Sequence, residues 1–342
     1  VPTLPVLSTI GPGAGADWPE HVEWLPPPAR RRDLPRWLAA VWTRSRGRRA
    51  VVLRGTSGAS EVYRDLLAAV LLGRLRRGVR VVVSDATIEP GSRAVERALP
   101  RVGGPLARGL SRLLVRAADG PAVTWCVLSS DEVCSFPATW GVAARKVVHT
   151  PFMSTVWAVP EGPAERAGAY LFSGGNSLRD YDLLVRAVDG LGVPTVVASS
   201  WSPGRSLPAG VEVGLVSHDR FLRLLAGATA VVLPLELASR STGQQTYLNA
   251  MWLERPVVVT DAPGVRDHVE DGVTGVVVPP EAGALRAALA DVLDPSRAAH
   301  YAEMGRRARA EVEARYRDEH YRRRLLQVAG VLPVAEAAGS RT

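Results

Sequence analysis

Ser241-Thr242-Gly243-Gln244-Gln245-Thr246, Asn249-Ala250-Met251, Arg255-Pro256-Val257-Val258-Val259-Thr260 and Gly272-Val273-Thr274-Gly275-Val276-Val277-Val278-Pro279-Pro280 follow one another within residues 232–280. Short runs of β-branched residues alternate here with polar, glycine-rich turns. Apolar runs of four or so residues between turn signals read as strands buried on both faces, the kind found in parallel sheets. The polar turns then fall at the carboxyl ends of those strands, where open α/β sheets bind their ligands.

The same rhythm extends in both directions. Toward the amino end, residues 170–172 form a short strand entering Ser173-Gly174-Gly175-Asn176-Ser177, and Leu183, Leu184 and Val188 begin a helix. Further strands are predicted at 195–198, 211–216, 230–233, 257–260 and 276–278. Residues 298–328 place Tyr301, Met304, Ala308, Val312, Tyr316, Tyr321 and Leu325 at spacings of three to five, which predicts one long amphipathic helix or a bent pair. In the first part of the chain, 50–54 and 79–83 are the clearest strands, with 123–128 and 146–149 after them. Leu66, Leu67, Val70 and Leu71 recur at helical spacing within 62–75, which gives a β-α-β unit and a right-handed parallel crossover. The expected fold class is α/β, with two Rossmann-like doubly wound domains facing a central cleft. The expected boundaries are 1–152 for an N-terminal Rossmann-like domain, 153–168 for a proline-containing linker and 169–315 for a C-terminal Rossmann-like domain. Residues 316–342 are expected to form a helix packing back toward the first domain, followed by a tail.

The 342 residues exceed what one hydrophobic core usually supports, and 46% apolar with 22% charged residues excludes a disordered or fibrous chain. Lys146 is the single lysine among 42 basic residues, a bias that reads first as arginine-rich coding. Residues 1–150 carry 22 Lys/Arg against 12 Asp/Glu, or +10, and the remainder 20 against 22, or −2. The first domain can therefore attract anionic acceptors or an acidic membrane surface. Within 97–116 the leucines Leu99, Leu106, Leu110, Leu113 and Leu114 form one stripe and Arg108, Arg112 and Arg116 another, which suits either a core-packed helix with a solvated basic face or a peripheral membrane contact. No RNA-binding aromatic signature or zinc-finger spacing is present, so nucleic acid is not an expected partner. Cys126 and Cys134 are too few for a disulfide framework, and no basic leader or long apolar run is seen, so a cytoplasmic location is expected, with the inner membrane face as a possible docking place.

Gly174-Gly175-Asn176-Ser177, between a strand and a helix, reads either as a plain turn or as a loop whose amides approach a diphosphate, with Arg179 positioned to fork onto phosphate oxygens. In Gly243-Gln244-Gln245-Thr246 the glycine frees the backbone, Thr246 offers a hydroxyl at a helix start and the glutamines can bond sugar hydroxyls. Asn249 lies one turn on, so its amide is expected to face the same cleft. Ser241 or Thr242 reads equally well as a helix cap. In the first domain, Gly55-Thr56-Ser57 and the Ser84-Asp85-Ala86-Thr87 turn both follow buried strands and face the expected cleft; Gly55-Thr56-Ser57 can touch a phosphate or a second substrate, and Asp85 by itself reads as an N-cap or a loop-closing Asx turn. Asp180-Tyr181-Asp182 resembles a metal-binding Asp-x-Asp pair but sits at a helix start, where a capping role is expected. Gly11-Pro12-Gly13-Ala14-Gly15 lacks a convincing preceding strand and reads as a loop. The six histidines have no ligand spacing, and His149 is expected to be structural. Six of the nine tryptophans, from Trp18 to Trp140, fall in the first domain, where core packing accounts for most and acceptor stacking for some.

Residues 170–330 resemble the C-terminal lobe of retaining glycosyltransferases of the GT-B fold, family 4 in particular. Asn249-Ala250-Met251-Trp252-Leu253-Glu254-Arg255-Pro256-Val257-Val258 is similar to that family's Glu-Ala-Met-Ala-x-Gly-Lys-Pro-Val-Val segment, Asp271-Gly272-Val273-Thr274-Gly275 to its Asp-Gly-x-x-Gly turn, and Met304-Gly305 with Ala308-Arg309 to the start of its closing helix. The resemblance departs in two places. Ser241 and Asn249 occupy the positions of the family's paired glutamates, and Gly175-Asn176 and Arg179-Asp180 replace its phosphate-site Gly-Arg and Lys-Gly. It implies a divergent glycosyltransferase that moves a sugar from a nucleoside diphosphate donor to an acceptor hydroxyl, with retention of configuration and without metal. The nucleotide sugar is then a co-substrate and no cofactor is called for. The implied donor set is Gly174, Gly175, Asn176, Arg179, Ser241, Gly243, Gln244, Gln245, Thr246 and Asn249; the acceptor set is Gly55, Thr56, Ser57 and Asp85; Asp85, Arg179 and Ser241 are the catalytic candidates. The alternatives are a nucleotide-sugar epimerase on the same fold, or a non-catalytic homologue that binds the nucleotide sugar.

Overall fold

The computed structural model describes residues 5–12, 21–56, 63–88, 104–162 and 165–333, with only the backbone for 104–108. Ser57, Gly13 to Gly15, Trp18, Arg97, Leu99 and the side chains of Leu106 and Arg108 lie outside the described residues. The chain divides into two compact units, one of Val1–Pro151 with Glu319–Thr342 and one of Phe152–Asp318.

Among its described residues the first unit holds a six-stranded, all-parallel sheet in the order β2-β1-β3-β4-β5-β6. Its strands are β1 (Val6–Ser8), β2 (Val22–Trp24), β3 (Ala50–Arg54), β4 (Arg80–Ser84), β5 (Val123–Val127) and β6 (Val147–His149). Helices α1 (Leu34–Arg44), α2 (Arg64–Leu75), α3 (Gly104–Ala118) and α4 (Ser130–Trp140) connect them. Val51, Leu53, Val81, Val83, Trp125 and Val127 meet Trp37, Leu66, Leu72, Phe136 and Trp140 in one apolar core. Trp125, Phe136 and Trp140 pack ring against ring at 5.6 and 6.2 Å between centroids, so these tryptophans serve the core. β1 corrects the reading of the Gly11 loop: a strand does precede it. At three residues, closed by Ser8 and Thr9, that strand is too short for alternation to reveal.

The second unit repeats the theme with β7 (Leu171–Gly174), α5 (Tyr181–Val188), β8 (Thr195–Ala198), β9 (Val211–Gly214), α6 (His218–Gly227), β10 (Ala230–Leu233), α7 (Gln244–Trp252), β11 (Val257–Thr260), β12 (Val276–Val278), α8 (Ala282–Leu293) and α9 (Ala298–Arg315). A last helix, α10 (Asp318–Val328), begins at the unit boundary and lies in the first unit. The predicted closing helix is thus a pair, α9 and α10. Alternate residues of each strand serve opposite faces of the sheet: Phe172, Val231, Leu233, Val257 and Val259 pack with Leu224, Tyr247, Met251 and Val312, while Leu171, Val197, Val232 and Val258 pack with Leu184, Leu285, Leu289 and Met304. Burial on both faces is why these strands read as continuous valine and leucine runs. The strand order β9-β8-β7-β10-β11-β12 reverses direction between β7 and β10. That divergence opens a crevice at the carboxyl ends of the two strands, the switch point of a doubly wound sheet. Among the described residues no helix is long and apolar enough to cross a membrane.

α9 lies so close to the end of α7 that a Cβ added at Gly305 would meet the Glu254 carbonyl oxygen at 2.4 Å. Gly305→Ala is therefore expected to lower stability by about 1–3 kcal/mol, the usual cost of overpacking, without altering the strands. Urea unfolding followed by far-UV circular dichroism measures it; a variant as stable as the parent would show that α9 moves freely on α7.

Candidate functional site

The crevice between β7 and β10 gathers most of the predicted donor residues. Beyond β7 the chain turns through Gly175 to Arg179, and beyond β10 it runs from Pro234 to Gly243. The two loops are stitched together by backbone bonds from Asp180 N to Pro234 O (2.8 Å) and from Glu236 N to Leu178 O (3.1 Å). Ser177 is the meeting point. Its carbonyl accepts from Arg179 Nη1 at 2.6 Å and from Thr242 Oγ1 at 3.1 Å, and its hydroxyl accepts from Arg240 Nη2 at 2.5 Å. Arg179 Nη1 also reaches Thr242 Oγ1 at 3.1 Å, and Arg240 Nη1 donates to Ser241 O at 3.0 Å. Two guanidinium groups from different loops thus share one serine.

Desolvation pulls the Arg179 guanidinium below its ordinary value, and the neighbouring Arg240 charge acts in the same direction. Arg179 Nε is buried and has no hydrogen-bond partner among the described residues. Gly243 caps the start of α7 at φ +89°, a conformation that favours glycine, and turns the first amides of the helix toward the loop. The next residue, Gln244, is only 4% exposed, and its Nε2 also has no partner. An unpaired buried donor costs about 1–3 kcal/mol, so both atoms are candidates for completion by acceptor oxygens. Thr246 is buried one turn further along α7, and Ser241 is buried at its approach.

Three donor candidates have other occupations. Asn176 Oδ1 accepts from Ser199 Oγ (2.8 Å), Ser200 N (2.7 Å) and Ser200 Oγ (3.0 Å), so its carbonyl ties β7's loop to β8's. Asn249 Oδ1 accepts from Thr155 N at 2.8 Å and Ser154 Oγ at 3.1 Å. Gln245 Nε2 likewise donates to Thr155 Oγ1 at 3.1 Å. The reason is helical geometry, since positions four apart share a face and that face meets residues 154–155. Asp180 caps α5 by accepting from Leu183 N at 2.8 Å, as its place in the sequence predicted. Gly174 ends β7 against the Phe221 ring. Arg240 was not singled out from the sequence, because one arginine among 41 in a loop without periodicity carries no local signal.

In the first unit Gly55 lies directly against the Ser84–Asp85 turn. Gly55 N donates to Ser84 O at 2.6 Å and a Cβ there would strike that same oxygen, so Gly55 is a packing position whose amide is already used. Thr56 is exposed at the end of β3. Asp85 stands at the end of β4 with φ +47° and is 8% exposed. Its Oδ1 accepts a hydrogen bond from the Tyr321 hydroxyl of α10. Burial raises the Asp85 carboxyl above the usual carboxylate range, against opposing effects of the Tyr321 bond and Arg54. Beneath it, burial pushes the Cys126 thiol up to about 12, which keeps it protonated and unreactive.

Residues 207–295 match the family model described as Glycosyl transferases group 1, a segment that contains Arg240, Gly243 and α7. No curated protein matches the sequence significantly. Among solved structures, the chain is similar to sucrose-phosphate synthase from Thermosynechococcus elongatus, with 16% identity and a TM-score of 0.63 over 94% of this chain and 87% of that one. It is similar to HepE from Anabaena, solved in complex with UDP-glucose, with 15% identity and a TM-score of 0.63 over 91% and 86%. It is also similar to WaaG, a glycosyltransferase involved in lipopolysaccharide biosynthesis, with 13% identity and a TM-score of 0.57 over 95% and 100%. At such identities the likeness is one of fold, and the fold is the two-domain GT-B architecture.

Asp85→Asn keeps an acceptor for Tyr321 and removes the buried ionisable group. Because the folded-state pKa is raised, the wild-type protein loses stability as pH climbs from the unfolded carboxylate value through the folded one. The variant is expected to melt above the wild type at about pH 8, with the gap closing toward about pH 4. Paired melting curves across that range check it, and a gap independent of pH would show that Asp85 titrates normally.

Proposed function

We propose that the protein is a glycosyltransferase that takes a sugar from a nucleoside diphosphate sugar and passes it to an acceptor hydroxyl. The observation that carries this reading is the pair of buried, unpartnered donors, Arg179 Nε and Gln244 Nε2, set beside a second guanidinium and the start of α7 at the β7/β10 switch point. Two guanidinium groups suit two adjacent phosphates, since each planar fork binds oxygens in pairs. The group 1 glycosyl transferase segment and the GT-B fold support the same class of donor. So does the UDP-glucose bound by HepE.

In this reading Arg179, Arg240 and the first amides of α7 hold the diphosphate and take up the charge it gains as the glycosidic bond breaks. Preorganised donors of this kind contribute several kcal/mol to such a step. With positive charge supplied by arginine, no metal need bridge the phosphates. The resemblance to glycosyltransferase family 4 carries the proposal of retention. Ser241, at the position of a family glutamate, brings no negative charge to the sugar, and the departing diphosphate is the base within reach of the attacking hydroxyl. Asp85 remains the proposed group on the acceptor side, and the exposed Leu110 and Leu113 beside Arg112 on α3 suit contact with an anionic surface or a lipid-linked acceptor.

Incubation with radiolabelled nucleotide sugars distinguishes the readings: transfer or hydrolysis supports the transferase, an epimerised sugar the epimerase, and binding without turnover a non-catalytic homologue. Arg179→Ala and Arg240→Ala are each expected to weaken nucleoside diphosphate binding by about tenfold or more, as loss of a charged hydrogen bond implies. Calorimetric titration with UDP, ADP and GDP measures this. Unchanged affinity in both variants would remove the crevice as the donor site.

A further inference from the structure

Gln245, Asn249 and Trp252 lie at positions i, i+4 and i+7 of α7 and therefore on one face of it. All three hold the chain where it passes between the two units, at Pro151/Phe152 and Asp318/Glu319. Gln245 and Asn249 bond Ser154 and Thr155. The Trp252 ring lies 3.9 Å from the Arg317 guanidinium, which also stands 5.1 Å from Trp157. The two passing segments are tied to each other as well, by Ser154 N to Tyr316 O at 2.8 Å and by Arg317 Nη1 to Val156 O at 3.5 Å. The first turn of the same helix carries Gly243 and Gln244 at the arginine pair. A helix of nine residues is about 13 Å long and moves as one body.

We infer that α7 transmits donor binding to residues 152–157, with Gln245 and Asn249 as positioning residues for the segment where the chain enters the second unit. The inference rests on the donor-site reading above. A ligand completing the bonds of Gln244 and the amides beyond Gly243 fixes the turn that also carries Gln245, and so favours the state in which Thr155 is gripped. A ligand shifts an equilibrium only by its differential affinity for the two states, and the effect is reciprocal. Residues that touch no ligand, Ser154 and Thr155, must then influence nucleotide affinity.

The test uses the full chain and the tightest binder among UDP, ADP and GDP. In hydrogen exchange followed by mass spectrometry, saturating nucleotide is expected to slow the amides of 153–157 by about tenfold, a coupling of ordinary size. The double variant Ser154→Ala with Thr155→Ala leaves Arg179, Arg240 and Gln244 in place. It is expected to bind the nucleotide about three- to tenfold more weakly and to lose the ligand-dependent slowing. Thr155→Ser keeps the hydroxyl that Gln245 and Asn249 bond and is expected to retain both effects, which separates lost coupling from a damaged fold. Nucleotide that binds the wild type and the double variant equally, or that leaves exchange at 153–157 unchanged, overturns the inference while leaving the donor site standing. Failure of all three nucleotides to bind overturns the donor-site reading, and the inference with it.

Discussion

The convergence of Arg179 and Arg240 on Ser177 is the interaction on which the second unit's chemistry depends. Two like charges on neighbouring loops repel, and burial penalises Arg179. Neutral acceptors, the carbonyl and hydroxyl of Ser177, the Thr242 hydroxyl and the Ser241 carbonyl, are among the groups that hold the two guanidinium groups in place. An arrangement that is costly when empty favours an anionic ligand when full. Backbone bonds between the loops after β7 and β10 keep it rigid, so that little reorganisation is required when charge arrives.

The sheet explains why these loops meet. In the order β9-β8-β7-β10-β11-β12, β7 and β10 are neighbours whose connections leave in opposite directions, so no helix covers the gap at their carboxyl ends. The first unit has a divergence of its own, between β1 and β3, but there Asp65 fills the corner: it accepts from Thr9 Oγ1 and, at 3.1 Å, from Arg54 N, while pairing with Arg64 at 2.7 Å. One switch point is closed by a carboxylate and the other is lined by cations. Among the described residues the two units thus differ at these places in charge more than in topology, and the proposed anion site falls in the second.

The strands of the second unit were readable because burial on both faces demands unbroken runs such as Val257-Val258-Val259, and 195–198, 230–233, 257–260 and 276–278 appear as strands at the predicted bounds. Local chemistry was equally plain where a side chain serves its own turn, as with Asp180 capping α5. Legibility ended where meaning depends on a distant partner. Asn249 finds Thr155, 94 residues away, and Asp85 finds Tyr321, 236 residues away; neither pairing has any trace in local spacing. Arg240 stands in a loop with no period, and its bond to Ser177, 63 residues off, leaves no trace in local spacing.

Asn249 illustrates how one substitution can move a residue from one task to another. A carboxylate at this position would bring a negative charge into a buried place and would accept bonds only. The amide is neutral and both accepts and donates, and here its oxygen takes the Thr155 amide and the Ser154 hydroxyl together. Buried neutral groups with satisfied bonds carry little penalty, whereas a charge in the same place needs a cation, and among the described residues no basic side chain is seen to bond Asn249. The helix thus keeps its two ends for different work: the amino end, uncharged but rich in donors, faces the arginine pair, and the face beginning one residue later secures the backbone at the unit boundary. A single nine-residue helix can serve both places because Gln244 and Gln245, adjacent in sequence, leave it about 100° apart.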